Sequence, residues 1–260
     1  MELRILGPVE VRANGNVATL NGAKERTVLA TLLLARGRVL SDATITTRLW
    51  GCSPPATASA QIYTYVSRLR KYLGPDVQII RQQPGYVIRT GAALFDYAEF
   101  ERLAKLGHGE LKAGQYKEAA RHLGEALALW RGRALANVTD FLADAHLPQL
   151  EEASMAVLEG RIEADLEIGR HAQLVPELTG IVAEYPLRER LRAQLMTALY
   201  RCDRQADAIA AFHEGRRILA EELGVDPGST LRTTYQGILT GDLAKARVPR
   251  VAVAAAEGSS

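Results

Sequence analysis

Gln61, Thr64, Ser67, Arg68 and Lys71 recur on one side of a helical stretch, and their chemistry is that of contacts to a nucleic-acid duplex. Glutamine and threonine can hydrogen-bond base edges, arginine can pair bidentately with guanine or grip a phosphate, and lysine meets phosphate as a point charge. Ala60 in the same strip offers no hydrogen bond but permits close approach. The opposite side carries Ile62, Val66, Leu69 and Leu73 at i, i+4, i+7 and i+11, which is the buried stripe of an amphipathic helix over 57–73. Thr57 is the expected N-cap after Pro54-Pro55, and Gly74-Pro75 the expected stop.

A helix of this kind needs a scaffold that presents its polar side. Leu3, Ile5, Val9 and Val11 alternate around Gly7-Pro8, with a hairpin turn at Asn14-Gly15 before a strand over Val17–Leu20. Lys24–Ala35 predicts a first helix on Val28, Leu29, Leu32 and Leu33, and a second follows, capped by Ser41 or Asp42 and buried through Ile45 and Leu49. Trp50 belongs with the core of that pair. Val77–Arg81 and Tyr86–Arg89 form a basic hairpin after the third helix, giving the order βββ-α-α-α-ββ of a winged helix-turn-helix. In that scaffold Arg81, Gln82 and Arg89 belong to the wing, while Lys24, Arg26, Arg36 and Arg38 flank the first helix, either touching backbone phosphates or as ordinary surface charge. Tyr63 sits beside the strip, either along a phosphate or at the edge of the core.

Charge is divided along the chain in the same sense. Residues 1–92 hold 12 Lys or Arg against 5 Asp or Glu, whereas 93–241 hold 17 against 23, so a basic part precedes an acidic one. The five histidines, His108, His122, His146, His171 and His213, are scattered without a metal-binding or catalytic spacing, and no Gly-x-x-x-x-Gly-Lys-Ser/Thr loop occurs. We therefore assign no catalytic residue, metal or cofactor. Cys52 and Cys202 stand 150 positions apart and are expected to remain free thiols. The amino terminus has no secretory pattern and no segment reaches the roughly 18 apolar residues of a membrane span, so the expected location is the cytoplasm, on the nucleoid.

From Phe95 the sequence turns to nearly continuous amphipathic helix. A weak repeat begins at Ala113-Gly114-Gln115, Ile168-Gly169-Arg170 and Cys202-Asp203-Arg204. Gly169 and Asp203 lie 34 positions apart, the period of tetratricopeptide helix pairs. The longer interval from Gly114 to Gly169 leaves room for an extra helix over Phe141–Leu158. A turn at Gly224–Thr230 and a helix over Leu231–Leu239 follow, and the small-residue tail over 242–260 is expected to be disordered.

Taken together, Tyr65–Lys71, Pro84-Gly85-Tyr86, Leu49-Trp50-Gly51 with Pro54-Pro55, Phe95–Phe100 and Glu221–Gly228 resemble the Streptomyces antibiotic regulatory proteins. The resemblance covers residues 1 to about 241. It implies a mainly α fold with small β content: a response-regulator-type winged helix-turn-helix over 1–92 and an all-α, tetratricopeptide-like bacterial transcriptional activator domain over 93–241. It also implies an activator of secondary-metabolite gene clusters that binds direct repeats at promoters, associates with itself on DNA and recruits RNA polymerase holoenzyme. Gln82-Gln83 stands before Pro84-Gly85-Tyr86 where the family commonly has arginine, which leaves Gln82 or Arg81 to substitute for a minor-groove arginine at the wing tip. Two other readings fit the same sequence: a helical-repeat adaptor between proteins, and a ligand-responsive regulator or repressor.

Overall fold

In the computed structural model, residues 1–13, 15–18 and 20–243 are described. The expected turn residue Asn14 and the tail from 244 onward lie outside them. Three short strands open the chain: β1 (Glu2–Arg4), β2 (Glu10–Ala13) and β3 (Asn16–Ala18). Helix α1 (Ala23–Leu34) follows, then β4 (Leu40–Ser41), α2 (Asp42–Trp50), α3 (Ala58–Leu73), and the strands β5 (Gln78–Gln82), β6 (Gly85–Arg89) and β7 (Leu94–Phe95). The remaining elements are helices: α4 (Asp96–Lys112), α5 (Tyr116–Ala128), α6 (Asp140–Glu167), α7 (His171–Glu184), α8 (Glu189–Arg201), α9 (Gln205–Leu223) and α10 (Ser229–Thr240).

Two compact units contain these elements. Residues 1–109 with 121–158 make the first, and 110–120 with the described residues from 159 onward make the second. In the first, one sheet has the order β3-β2-β1-β7, with β7 parallel to β1 through Glu2 opposite Leu94 and Leu3 opposite Phe95. The other has the order β4-β6-β5, in which the hairpin register runs from Gln78 opposite Arg89 to Gln82 opposite Gly85. The core is one cluster from Leu3 and Ile5 through Val28, Leu32, Ile45, Ile62, Val66 and Leu69 to Leu123, Leu142, Leu150 and Val157.

Gly85 is required where the hairpin meets β4. A Cβ there would lie 1.7 Å from the carbonyl oxygen of Leu40, so any side chain would separate the two strands.

A polar loop between α5 and α6 is bonded to this first unit at many points. The backbone N–H groups of Arg131 and Leu135 donate to the carbonyls of Leu6 and Ile5. The Asn137 side chain accepts from Val9 N at 2.8 Å, and the Asn137 carbonyl accepts from Arg26 Nε at 2.8 Å. Thr139 N donates to Thr27 Oγ1 at 2.9 Å while its own hydroxyl donates to the Arg48 carbonyl at 2.6 Å. At the start of α4, Asp96 accepts from the backbone of Ile5 and Leu6, each at 2.9 Å.

The second unit shows why a repeat was legible. Gly114, Gly169 and Asp203 all take positive φ, at 73°, 88° and 60°, each two residues before a helix begins. At each the N–H bonds back three residues, to Leu111, Leu166 and Tyr200. The following N–H bonds back five, from Gln115 to Glu110, Arg170 to Asp165 and Arg204 to Leu199. The three turns are one Schellman-type helix stop used three times. Within α7 to α10 the core is Leu174, Leu178, Leu191, Met196, Leu199, Phe212, Leu219, Leu231 and Ile238. Gly215 leaves space for the buried Arg192, since a Cβ there would come within 2.3 Å of its Cδ.

Several expectations need correction. Thr57 occupies the N-cap of α3 without making the side-chain cap bond; its Oγ1 instead accepts from Gln61 Nε2 at 3.0 Å, drawn away by a competing amide one turn on. Phe95 is in a strand rather than a helix, because the edge of β1 pairs with it. The extra helix runs over Asp140–Glu167, longer than Phe141–Leu158, and it carries Pro148 inside. Strand β4 was not foreseen at all: two residues pair there through backbone alone.

Candidate nucleic-acid interface

The strip expected from the sequence is the exposed side of α3. Its apolar stripe is sealed, with Ile62, Val66, Leu69 and Leu73 each at 0 or 1% exposure, which fixes the rotation of the helix about its axis. Ala60, Thr64, Arg68 and Lys71 are consequently exposed, and Gln61 and Ser67 are half-buried at the margins. Two of the polar side chains already have local partners. Thr64 Oγ1 donates to the Ala60 carbonyl at 2.9 Å, and the Gln61 amide is held between Thr57 and the Tyr65 hydroxyl, which donates to Oε1 at 3.1 Å. Among the described residues, Arg68, Lys71 and Arg89 are exposed and enter no ion pair within 4.0 Å, although the Arg68 charge is felt by the buried Glu25.

Beside the strip, the hairpin and α3 enclose a cleft of about 360 Å³ lined by Asp42, Ser59, Tyr63, Arg70, Arg81 and Tyr86. Tyr63 is 64% exposed at its mouth and is therefore not a core residue. Arg70 lines the cleft and donates through Nε and Nη2 to the Ile79 carbonyl of β5 at 2.9 and 2.6 Å. Arg81 donates end-on to both oxygens of Asp42, at 2.6 and 2.7 Å, and lies 4.7 Å over the Tyr86 ring. That pairing to Asp42 raises the Arg81 pKa above its ordinary value. Asp42 is the first residue of α2, where Ser41 caps by accepting from Thr44 N at 3.1 Å.

The remaining candidates divide by what they touch. Gln82 is exposed beside the hairpin turn, and Arg89 is exposed at the far end of the same ladder, opposite Gln78. The Lys24 ammonium lies 5.1 Å over the half-buried Trp50 ring. Arg26 is turned inward, donating to the Asn137 and Leu20 carbonyls at 2.8 and 3.1 Å, so its guanidinium is largely committed within the protein. Arg36 is paired with Glu101 and lies 4.9 Å over Tyr97, and Arg38 bonds the Ala35 carbonyl.

Beneath the strip, Glu25 in the first turn of α1 is fully buried. Burial raises its pKa against the pull of the Asn21 backbone and of the Arg68 and Arg26 charges. Sequence reasoning did not single out Arg70, Asp42 or Glu25 in these roles. Arg70 carried one usable signal, its place seven residues after Tyr63 on the flank of α3 that faces the hairpin.

Among the described residues no group of three or more His, Cys, Asp or Glu is placed to hold a metal ion, and no helix is long and apolar enough to cross a membrane. The arrangement offers instead an exposed polar helix face bearing Arg68 and Lys71, beside a polar cleft and a hairpin, which is suited to a groove and the phosphates beside it.

The family model for the transcriptional regulatory protein C-terminal domain matches residues 17–88, and that for the bacterial transcriptional activator domain matches residues 95–239. The chain is 41% identical over 247 residues to the regulatory protein AfsR of Streptomyces griseus, covering 95% of this chain and 25% of that one. It is 36% identical to the regulatory protein DnrI of Streptomyces peucetius, covering 93% of each. It is also similar to a solved structure of Mycobacterium tuberculosis EmbR, described as a complex with a low-affinity phosphopeptide. The TM-score is 0.88 at 35% identity, covering 92% of this chain and 65% of that one. The chain thus spans about a quarter of the length of AfsR and nearly all of DnrI.

Proposed function

The chain belongs to the Streptomyces antibiotic regulatory protein family of transcriptional regulators, and on that premise we propose that it activates a secondary-metabolite gene cluster by binding direct repeats at promoters and recruiting RNA polymerase holoenzyme. The observation that carries the DNA-binding part is the outward strip of α3, where Arg68 and Lys71 stand exposed, with no ion-pair partner among the described residues, above a fully sealed apolar stripe. Arg68 contacts a base or the adjacent phosphate, Thr64, Ser67 and Gln61 contact base edges, and Lys71 holds phosphate. Tyr63, Lys24, Arg89 and Gln82 meet the flanking backbone, with Arg81 at the wing and Arg26 supporting the loop that carries its neighbours.

We assign DNA binding to residues 1–92 and promoter-bound assembly to 93–241, with the cytoplasm and its nucleoid as the location. Head-to-tail repeats require a heterologous contact between protomers, since a two-fold contact would demand inverted sites. Footprinting on the promoters adjacent to the gene tests the reading. The expected pattern is protection of two like-oriented half-sites about one helical turn apart on one DNA face. A protected inverted repeat, or no protection at any adjacent promoter, would contradict it.

A further inference from the structure

The Asp42–Arg81 pair sits where a wing cation would be needed, and it leaves that cation neutralised. The carboxylate faces the guanidinium end-on with both Nη groups engaged, and the Tyr86 ring supports the guanidinium from one face. Both side chains are solvent-accessible, at 43% for Arg81 and 36% for Asp42. An exposed pair of this kind is weak enough to exchange one anion for another. It also opens into the cleft shared with Ser59 and Tyr63 of α3, so a phosphate can reach Arg81 from the side on which the strip is presented.

We propose that Asp42 is a specificity-determining residue that competes with DNA phosphate for Arg81. The proposal rests on the DNA-binding reading above. In loose, sequence-independent encounters Arg81 stays on Asp42 and adds nothing to phosphate binding. When α3 seats in a groove, the backbone beside Ser59 and Tyr63 enters the cleft and Arg81 moves from the carboxylate to a phosphate oxygen. The chain therefore withholds one cation from non-specific DNA and supplies it to a matched site, a discrimination built by making the wrong complex weaker. No bond is made or broken in the exchange other than the ion pair and its hydrogen bonds.

The test compares the full chain with Asp42→Asn, Arg81→Gln and the double variant. The two probes are the promoter fragment protected in footprinting and a duplex of the same length and composition in scrambled order. Affinities are measured from 50 to 200 mM salt. Each phosphate neutralised contributes about 0.9 to the slope of log K against log salt, so one added contact makes the loss of affinity over that range about 3.5-fold larger. The expected result is that Asp42→Asn steepens the slope on scrambled DNA by about 0.9. Arg81→Gln should leave the scrambled-DNA slope unchanged but weaken binding to the promoter fragment. The double variant should behave as Arg81→Gln.

A flatter slope on scrambled DNA for Arg81→Gln would overturn the proposal, because Arg81 would already be serving non-specific DNA. An Asp42→Asn variant that loses affinity for both duplexes would overturn it as well, by making Asp42 a mere support for Arg81. If Asp42→Asn fails to fold, the Arg81→Gln comparison decides alone. Failure of the unaltered chain to bind either duplex is a separate outcome, and it strikes at the DNA-binding reading itself.

Discussion

Arg70 of α3 and Ile79 of β5 are joined by two charged hydrogen bonds to one carbonyl oxygen, from Nε at 2.9 Å and Nη2 at 2.6 Å. These bonds tie α3 to the hairpin, and on the proposed reading they help hold the two at the angle at which they meet a duplex. Arg70→Ala is expected to cost about 1.5–3 kcal/mol of stability, the range for hydrogen bonds involving a charged group. It should also weaken promoter binding although Arg70 does not belong to the outward strip. Thermal melting and fluorescence anisotropy on the same samples check this. A folded variant with undiminished promoter affinity would show that the tie does not matter for recognition.

Asn137 is expected to matter for the fold of the first unit even though it lies 128 positions from Val9, the residue whose N–H it accepts. Asn137→Ala leaves that buried N–H without its acceptor, an expected loss of about 1–3 kcal/mol. For a domain of this size each kcal/mol lowers the melting temperature by roughly 2–4 °C. A melting curve superimposable on that of the parent would refute the role given to the loop between α5 and α6.

Glu25 gives a pH-dependent expectation. Its folded pKa is raised above the ordinary 4.5 by burial, so the folded state binds more protons than the unfolded state just above that pH. Stability from this group is fully present below pH 4.5 and is lost as pH rises through the higher folded value. Glu25→Gln should accordingly raise the melting temperature near pH 7 and lose that advantage as pH falls toward 4.5. A destabilised variant at pH 7 would mean that the Asn21, Arg26 and Arg68 side of the balance outweighs burial.

What could be read from the sequence follows from the range of the interactions involved. The α3 strip was legible because a buried stripe at helical spacing fixes the opposite face by geometry, and Ile62, Val66, Leu69 and Leu73 supply that stripe within one element. The repeat was legible because one turn geometry recurs at Gly114, Gly169 and Asp203. Strands β4 and β7 were not, since two-residue strands pair through backbone and leave no side-chain pattern. The engagement of Arg81 by Asp42 across 39 positions, and of Arg26 by Asn137 across 111, has no local signature either, so both arginines read as free cations in the sequence. Thr57 shows the converse, a correct cap position whose hydroxyl is taken by Gln61.

On the proposed reading, the outward strip of α3 binds duplex DNA through Arg68 and Lys71. Fluorescence anisotropy with the footprinted promoter fragment, comparing the parent chain with Arg68→Ala and Lys71→Ala across salt, tests it most directly. Arg68→Ala should cost about 1–3 kcal/mol and relax sequence preference, while Lys71→Ala should weaken matched and scrambled duplexes alike and flatten the salt slope by about 0.9. Promoter binding that is left intact in both variants, with melting temperatures unchanged, would contradict the claim.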